Sequence, residues 1–310
     1  MIPQSTLGRT KLQVSKLGYG AMELRGGRRR LASQDAVARL LNGVLDAGIN
    51  FIDTSPDYGV SEELIGQHIS HRRSEFYLAS KCGCPIDLPP AAPGERPAHV
   101  FTRANVRAGV ERSLRRMKTD HLDLVQFHIS PARAVLEQND SVEELRALQR
   151  EGKVRFIGMS GTLPNLTDHI AMGVFDAFQI PYSALERNHE EVIRDAARSG
   201  AGIIIRGGVA RGLPVAKDED FARMPEVFRR AVEGRRGLWE LANLDELLAG
   251  MSRMDFMLRF TLSHPEMSTT IVGTANLDHL LGNATAARQG ALPPDVYDEA
   301  KRRLSTAVAA

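Results

Sequence analysis

A carboxylate, a phenol, an ammonium and an imidazole stand where neighbouring predicted strands end: Asp53, Tyr58, Lys81 and His128. General acid–base chemistry draws on these side chains. Each also has an ordinary structural role open to it. Asp53 could cap a loop, Tyr58 could pack half-buried, Lys81 could be solvated and His128 could be a satisfied core histidine. Their joint occurrence at successive strand ends favours the chemical reading, because neighbouring strands of a barrel converge at one rim.

The elements that would position them follow from periodicity. Short β-branched or aliphatic runs alternate with stretches of helical period. Strands are predicted over residues 16–20, 50–53, 76–81, 122–128, 154–160, 175–180, 202–206 and 270–272. Helices are predicted over 33–47, from 61, and over 102–117, 141–150, 164–172, 190–199, 255–263 and 276–288, with a last one over 294–304. Gly48 reads as a helix stop and Ser61 as an N-cap. The first fifteen residues read as a turn-rich strand pair. Unbroken strand–helix alternation requires parallel strands. No G-x-G-x-x-G turn follows the first strand, which argues against a doubly wound sheet. The expectation is a (β/α)8 TIM barrel with an N-terminal β-hairpin and a C-terminal extra helix, as one domain over residues 1–310. Two long connections, 83–101 and 207–254, follow strands and so belong at the C-terminal face, where barrels build active sites. The second is expected to hold helix around 226–249.

Composition narrows the function classes. Net charge is +2, with 43% hydrophobic and 25% charged residues, the profile of a globular protein with a sizeable core. Acidic and basic residues are interspersed, so there is no electrostatic case for nucleic acid or a membrane surface as partner. The cluster Arg28, Arg29 and Arg30 reads as a solvated loop. No apolar run reaches the ~20 residues that span a bilayer. The N-terminus lacks the apolar stretch of a signal peptide, so a cytoplasmic location is the default. The only cysteines, Cys82 and Cys84, read as reduced structural or pocket-lining thiols. No His-x-His or comparable ligand cluster marks a strand end, so no metal is expected and a metal-dependent barrel hydrolase is disfavoured.

The run Ile49-Asn50-Phe51-Ile52-Asp53-Thr54-Ser55-Pro56-Asp57-Tyr58-Gly59 resembles the signature of aldo-keto reductases. Ala79-Ser80-Lys81, Leu124-Val125-Gln126-Phe127-His128 and Ile271-Val272-Gly273-Thr274 are similar to further motifs of that family, as is the opening Leu7-Gly8-Arg9-Thr10 with Val14-Ser15-Lys16-Leu17-Gly18. The resemblance spans nearly the whole chain. It implies nicotinamide-dependent, reversible reduction of an aldehyde or ketone, with a small-molecule carbonyl or alcohol as partner. It sets no oligomeric state. Tyr58 would be the general acid, or the base in oxidation. Lys81 would lower the phenol pKa from its ordinary value of about 10. Asp53 would hold Lys81, and His128 would polarise the carbonyl.

The same resemblance places Gly20, Ala21 and Met22 near the nicotinamide ribose, and Ser160 and Gln179 on its carboxamide. Gly161 stands where the family usually has Asn. Ile129 and Ser130 replace the Trp, Asn or acidic residues often found after the histidine, which alters the substrate pocket. After the seventh strand the chain has Arg206-Gly207-Gly208-Val209-Ala210-Arg211-Gly212 in place of a run whose aromatic stacks on the nicotinamide. Arg206 would take over the stacking or contact the pyrophosphate, with Gly207, Gly208, Val209 and Arg211 around it. An arginine ion-paired under the rim is the structural alternative. Gly273 and Thr274 fit the barrel's phosphate site, and His279 and Asn283 match positions near the adenosine. NADP(H) is favoured by family habit. NAD(H) is the alternative, because no Arg or Lys stands at Gly273, Ala275 or Asn276. An NAD-dependent alcohol or sugar dehydrogenase and a cofactor-sensing regulatory subunit with little turnover are the competing functions.

Overall fold

The computed structural model describes residues 1–26, 33–86, 98–210, 212, 226, 229, 235 and 237–309. The basic cluster at Arg28, Arg29 and Arg30, and Arg211, lie outside the described residues.

The strands are β1 (Gln4–Thr6), β2 (Gln13–Ser15), β3 (Leu17–Gly20), β4 (Phe51–Asp53), β5 (Tyr77–Cys82), β6 (Leu122–Phe127), β7 (Val154–Ser160), β8 (Ala177–Pro181), β9 (Gly202–Arg206) and β10 (Thr269–Val272). β1 and β2 pair antiparallel as a hairpin. β3 to β10 form a closed barrel of eight parallel strands, β10 closing onto β3. The expected TIM barrel is the observed fold.

Side chains alternate between the two faces of a strand, so residues two apart share a face. The barrel interior follows from this. A buried apolar layer holds Phe51, Ala79, Leu124, Ala177 and Ile204, and Leu7, Leu12 and Val14 of the hairpin region pack against it. The hairpin therefore plugs the N-terminal end of the barrel. Two residues further along the same strands come Asp53, Lys81, Gln126, Gln179 and Arg206. The interior changes from apolar to polar in one step toward the C-terminal rim. Gly158 of β7 makes room in that upper layer, since a Cβ there would sit 3.0 Å from Gln126 Cγ.

Helices cover the outside and bury apolar faces against the barrel. In Gln34–Asp46 these are Val37, Leu40, Leu41, Val44 and Leu45, and the Ser33 hydroxyl caps the helix by accepting from Ala36 N–H. Thr102 caps Arg103–Met117 in the same way. Ser61 does not act as expected. It is the first helical residue of Ser61–His68 rather than its cap, and its hydroxyl donates to the Ala21 carbonyl (3.0 Å) and meets Thr54 Oγ1 at 2.9 Å. Tertiary partners outbid the local cap. A short helix, Arg133–Gln138, also precedes Ser141–Arg150. The described part of 226–249 is not one helix. Leu238–Leu241 ends before Asn243, which adopts the left-handed conformation (φ 49°) and starts a single 3-10 turn. The C-terminal helix runs over Pro294–Ala309. No helix among the described residues is long and apolar enough to cross a membrane.

Candidate active site

The centre of the barrel mouth is a buried ion pair. Lys81 Nζ donates to Asp53 Oδ2 at 2.7 Å and to the Thr54 carbonyl at 2.8 Å, and both side chains are essentially inaccessible. Asp53 Oδ1 accepts from Gln126 Nε2 at 2.9 Å and from Gln179 Nε2 at 2.8 Å. Three strands thus hold one carboxylate from both sides. A buried charge is tolerable only with such compensation. Gln126 was not singled out in the sequence. Its signal was a lone amide inside a six-residue strand whose every residue is buried.

Tyr58 sits above this pair in the turn after β4. Its N–H donates to the Ser55 carbonyl and its own carbonyl accepts from Ser61 N–H, each at 3.0 Å. Gly59 follows at φ +53°, where a Cβ would collide with the Arg25 carbonyl. The turn can close this tightly only with glycine there. Lys81 Nζ lies 5.2 Å from the centre of the Tyr58 ring, within cation–π range. Burial pushes the phenol pKa up, and the Lys81 charge only partly offsets that. The net direction is upward, opposite to the lowering expected from Lys81, because desolvation of a phenolate outweighs one nearby cation. For Lys81 burial works against the ammonium, but Asp53 and Tyr58 more than restore it, so its pKa is raised.

His128 follows β6, and its ring lies edge-on to Tyr58 with centroids 6.3 Å apart. The next two residues, Ile129 (φ 61°) and Ser130 (φ 54°), are both left-handed. A β-branched residue there is strained. Ser130 is pinned by its hydroxyl donating to the Thr162 carbonyl and by Asn165 Nδ2 donating to its carbonyl. Ile129 is 49% exposed, an apolar side chain on the rim beside His128.

Burial holds the His128 imidazole neutral and pushes its pKa down to about 4, against the opposing hydrogen bond to Asp57. An unfolded histidine titrates near 6.5. Above about 6.5 neither state is protonated, whereas between about 6.5 and about 4 only the unfolded chain takes up the proton. Stability is therefore lost as pH falls through that window. His264, also pushed down to about 4 chiefly by burial, acts with the same sign. The urea midpoint should be lower at about pH 4.5 than at about pH 7, and a flat midpoint would contradict this.

A further group gathers beside His128. Asp57, Cys84, His99 and His128 bring one potential ligand atom each to within 4.8 Å of the others. Nothing in the spacing of these four residues along the chain announces their convergence. Both cysteines are free thiols.

The chain matches the family model described as "Aldo/keto reductase family" over residues 16–303. This chain belongs to the aldo/keto reductase family. Among curated relatives, it is 28% identical over 290 residues to the uncharacterized oxidoreductase YqkF of Bacillus subtilis, covering 91% of this chain and 90% of that one. It is 27% identical over 297 residues to L-galactose dehydrogenase of Arabidopsis thaliana, covering 91% and 87%. Among solved structures, the holo form of aldo-keto reductase AKR11C1 from Bacillus halodurans superposes with a TM-score of 0.80 at 26% identity, covering 99% of this chain and 96% of that one. Membership makes the protein an oxidoreductase.

For this aldo/keto reductase the residues expected to meet a nicotinamide cofactor fall into two groups. Ser160, the last residue of β7, is in direct register with Gln179, which lies in the middle of β8 and not at its end as expected. The Ser160 hydroxyl donates to Gln179 Oε1 at 3.0 Å, so one amide joins the rim to the Asp53 pair. Arg206 ends β9, two residues beyond the inward-facing Ile204, and its charge acts on Tyr58 by lowering the phenol pKa. Gly207 (φ +72°) has open space where a Cβ would stand.

The second group is engaged in packing. Gly20 and Ala21 are buried, Met22 is half-buried, and a Cβ on Gly273 would sit 2.7 Å from the Gly20 carbonyl oxygen. Gly208 is closed rather than open. A Cβ there would lie 2.7 Å from Thr270 Oγ1, and its carbonyl accepts from Thr261 Oγ1 at 2.8 Å. Val209 packs on the core. Thr274 accepts from Asn276 N–H through its hydroxyl and from Tyr19 O–H through its carbonyl. The helix Leu277–Gln289 has its Asp278 and His279 N–H groups capped by Asn276 Oδ1. His279 and Asn283 are one turn apart on that helix, His279 exposed and Asn283 half-buried.

Proposed function

We propose that this aldo/keto reductase reduces an aldehyde or ketone to the alcohol, with Tyr58 as proton donor and NAD(P)H as reductant. The observation that carries the reading is the buried Lys81–Asp53 pair at 2.7 Å beneath the Tyr58 ring. A permanent cation at that depth serves a phenol whose oxygen becomes negative as its proton leaves. The phenol's raised pKa keeps it protonated at neutral pH, which suits donation to a carbonyl. His128, held neutral and edge-on to Tyr58, would polarise the substrate oxygen in the tautomer that carries its one proton on Nε2. Gln126 and Gln179 fix Asp53, so Lys81 keeps one position through the cycle. Ile129 supplies an apolar wall for the substrate.

The residues fit a nicotinamide cofactor by their donor set. A hydroxyl at the end of β7, a primary amide in the middle of β8 and a guanidinium at the end of β9 come from three neighbouring strands. Ser160 and Gln179 would hold the carboxamide, and Arg206 the ring face or the pyrophosphate beside the open Gly207. The cofactor, when bound, supplies the hydride. NADPH is the favoured form by family habit. The lack of a basic side chain at Gly273, Ala275 and Asn276 supports NADH as the second reading.

Arg206→Ala is expected to raise the cofactor Kd by roughly 10- to 100-fold, the worth of a charge-assisted contact of about 1.5–3 kcal/mol. Fluorescence titration with NADPH and NADH measures it, and an unchanged Kd removes Arg206 from the cofactor site. The function itself is tested by steady-state rates on a carbonyl panel with NADPH and NADH, and on alcohols with NADP+ and NAD+. No Tyr58-dependent oxidation of either reduced cofactor would sink the reading. Similarity to an L-galactose dehydrogenase is the reason to include sugars such as aldohexoses in the oxidative arm.

A further inference from the structure

Four segments far apart in sequence converge beside Tyr58: the turn after β4, the residues after β5, the stretch before the helix Arg103–Met117, and the residue after β6. They bring Asp57 Oδ2, Cys84 Sγ, His99 Nε2 and His128 Nδ1 together. His99 Nε2 is 3.0 Å from Asp57 Oδ2. His128 Nδ1 is 3.3 Å from Asp57 Oδ2, 3.3 Å from His99 Nε2 and 3.4 Å from Cys84 Sγ.

Three of these separations, 3.3, 3.3 and 3.4 Å, match tetrahedral coordination, and the fourth, 3.0 Å, is somewhat shorter. Bonds of about 2.0–2.1 Å to nitrogen or oxygen and about 2.3 Å to sulfur put neighbouring donors about 3.3–3.6 Å apart. Without an ion the protons of His99, His128 and Cys84 all turn to the Asp57 carboxylate. His128 Nδ1 has one proton or one lone pair to offer, yet three polar atoms face it. A single cation would satisfy the lone pairs of all four at once.

We propose that Asp57, Cys84, His99 and His128 form a zinc site at the barrel mouth. One sulfur, two imidazole nitrogens and one carboxylate oxygen are a donor set that suits Zn²⁺ and not Mg²⁺ or Ca²⁺. Binding forms four metal–ligand bonds and releases the Cys84 thiol proton to solvent. The thiolate and the Asp57 carboxylate then balance the two positive charges. A supporting shell is in place: Ser55 Oγ lies 3.5 Å from Cys84 Sγ and accepts from Asp57 N–H at 3.3 Å. The site is near the surface, with side-chain exposures of 17% for Asp57 and 15% for His128, so an ion can enter.

Coordination through Nδ1 has a consequence for the neighbouring chemistry. A metallated neutral imidazole must carry its proton on Nε2. The ion would therefore hold His128 in the tautomer that donates away from the metal, and it leaves that nitrogen uncoordinated. This consequence rests on the carbonyl-reduction reading, whereas the binding itself does not.

The test is zinc titration of the chelator-treated full chain by calorimetry, with Cys84→Ser and His99→Gln as variants and circular dichroism to confirm that both fold. One zinc per chain is expected, with each variant losing more than about 10- to 100-fold in affinity, the loss that removing a merely supporting partner causes. Cobalt loading should give a thiolate-to-metal charge-transfer band with tetrahedral d–d absorption, and Mg²⁺ should not compete. Absence of zinc binding, equal affinity in folded variants, or an octahedral cobalt spectrum without the thiolate band would each overturn the site. Tyr58→Phe separates the two readings: it should bind zinc like the parent chain while losing reduction.

Discussion

Tyr58→Phe is expected to lower kcat/KM for carbonyl reduction by roughly 100- to 10,000-fold, the usual contribution of one positioned proton donor. The substitution removes one oxygen and leaves the ring over Lys81 in place, so the 5.2 Å cation–ring contact survives. Stability should change little, and cofactor affinity should stay within a few-fold. Loss concentrated in kcat with an unchanged cofactor Kd would identify an interaction made only in the transition state. Activity within threefold of the parent chain would mean that another group delivers the proton, and His128 would be the next to examine.

Lys81→Met should both inactivate the protein and destabilise it. Removing one partner of a buried pair typically costs about 3–5 kcal/mol, because the other charge is left uncompensated. Here the remaining carboxylate would keep its two amide donors from Gln126 and Gln179, which places the loss toward the lower part of that range. Urea unfolding measures it. Combining Lys81→Met with Asp53→Asn should recover part of the stability and none of the activity, since the double variant leaves no uncompensated charge at this pair. The two outcomes separate the structural cost of the pair from its catalytic role. A single variant that loses less than about 1 kcal/mol would show that the pair is not the strut of the upper barrel layer.

Much of the barrel is readable along the chain. Strand and helix periods differ, and the turns between them carry glycine, proline or capping residues. For this reason 154–160 and 202–206 coincide with β7 and β9 as observed. The hairpin at the N-terminus and the alternation that forces parallel strands were equally local signals. Where expectation and structure part, a distant partner intervened. Ser61 gave up its cap for Ala21 and Thr54, Gly208 turned out to face Thr261 and Thr270, and Asn243, left-handed with its carbonyl accepting from Arg303 Nη1, ends the region of the helix Leu238–Leu241.

By itself the sequence determined which side chains stand at the strand ends. Asp53, Tyr58, Lys81 and His128 were legible because strand boundaries are local, and parallel strands of a barrel share one rim. The tertiary structure alone decided what those side chains meet. Gln126 and Gln179 come from different strands to share one oxygen of Asp53, the phenol of Tyr58 is desolvated more than Lys81 compensates, and Asp57, Cys84, His99 and His128 converge on one point. Burial and through-space distance have no period in a sequence, so the candidates for proton chemistry could be read from residue types, and the proposed zinc site only from where closure of the barrel puts its residues.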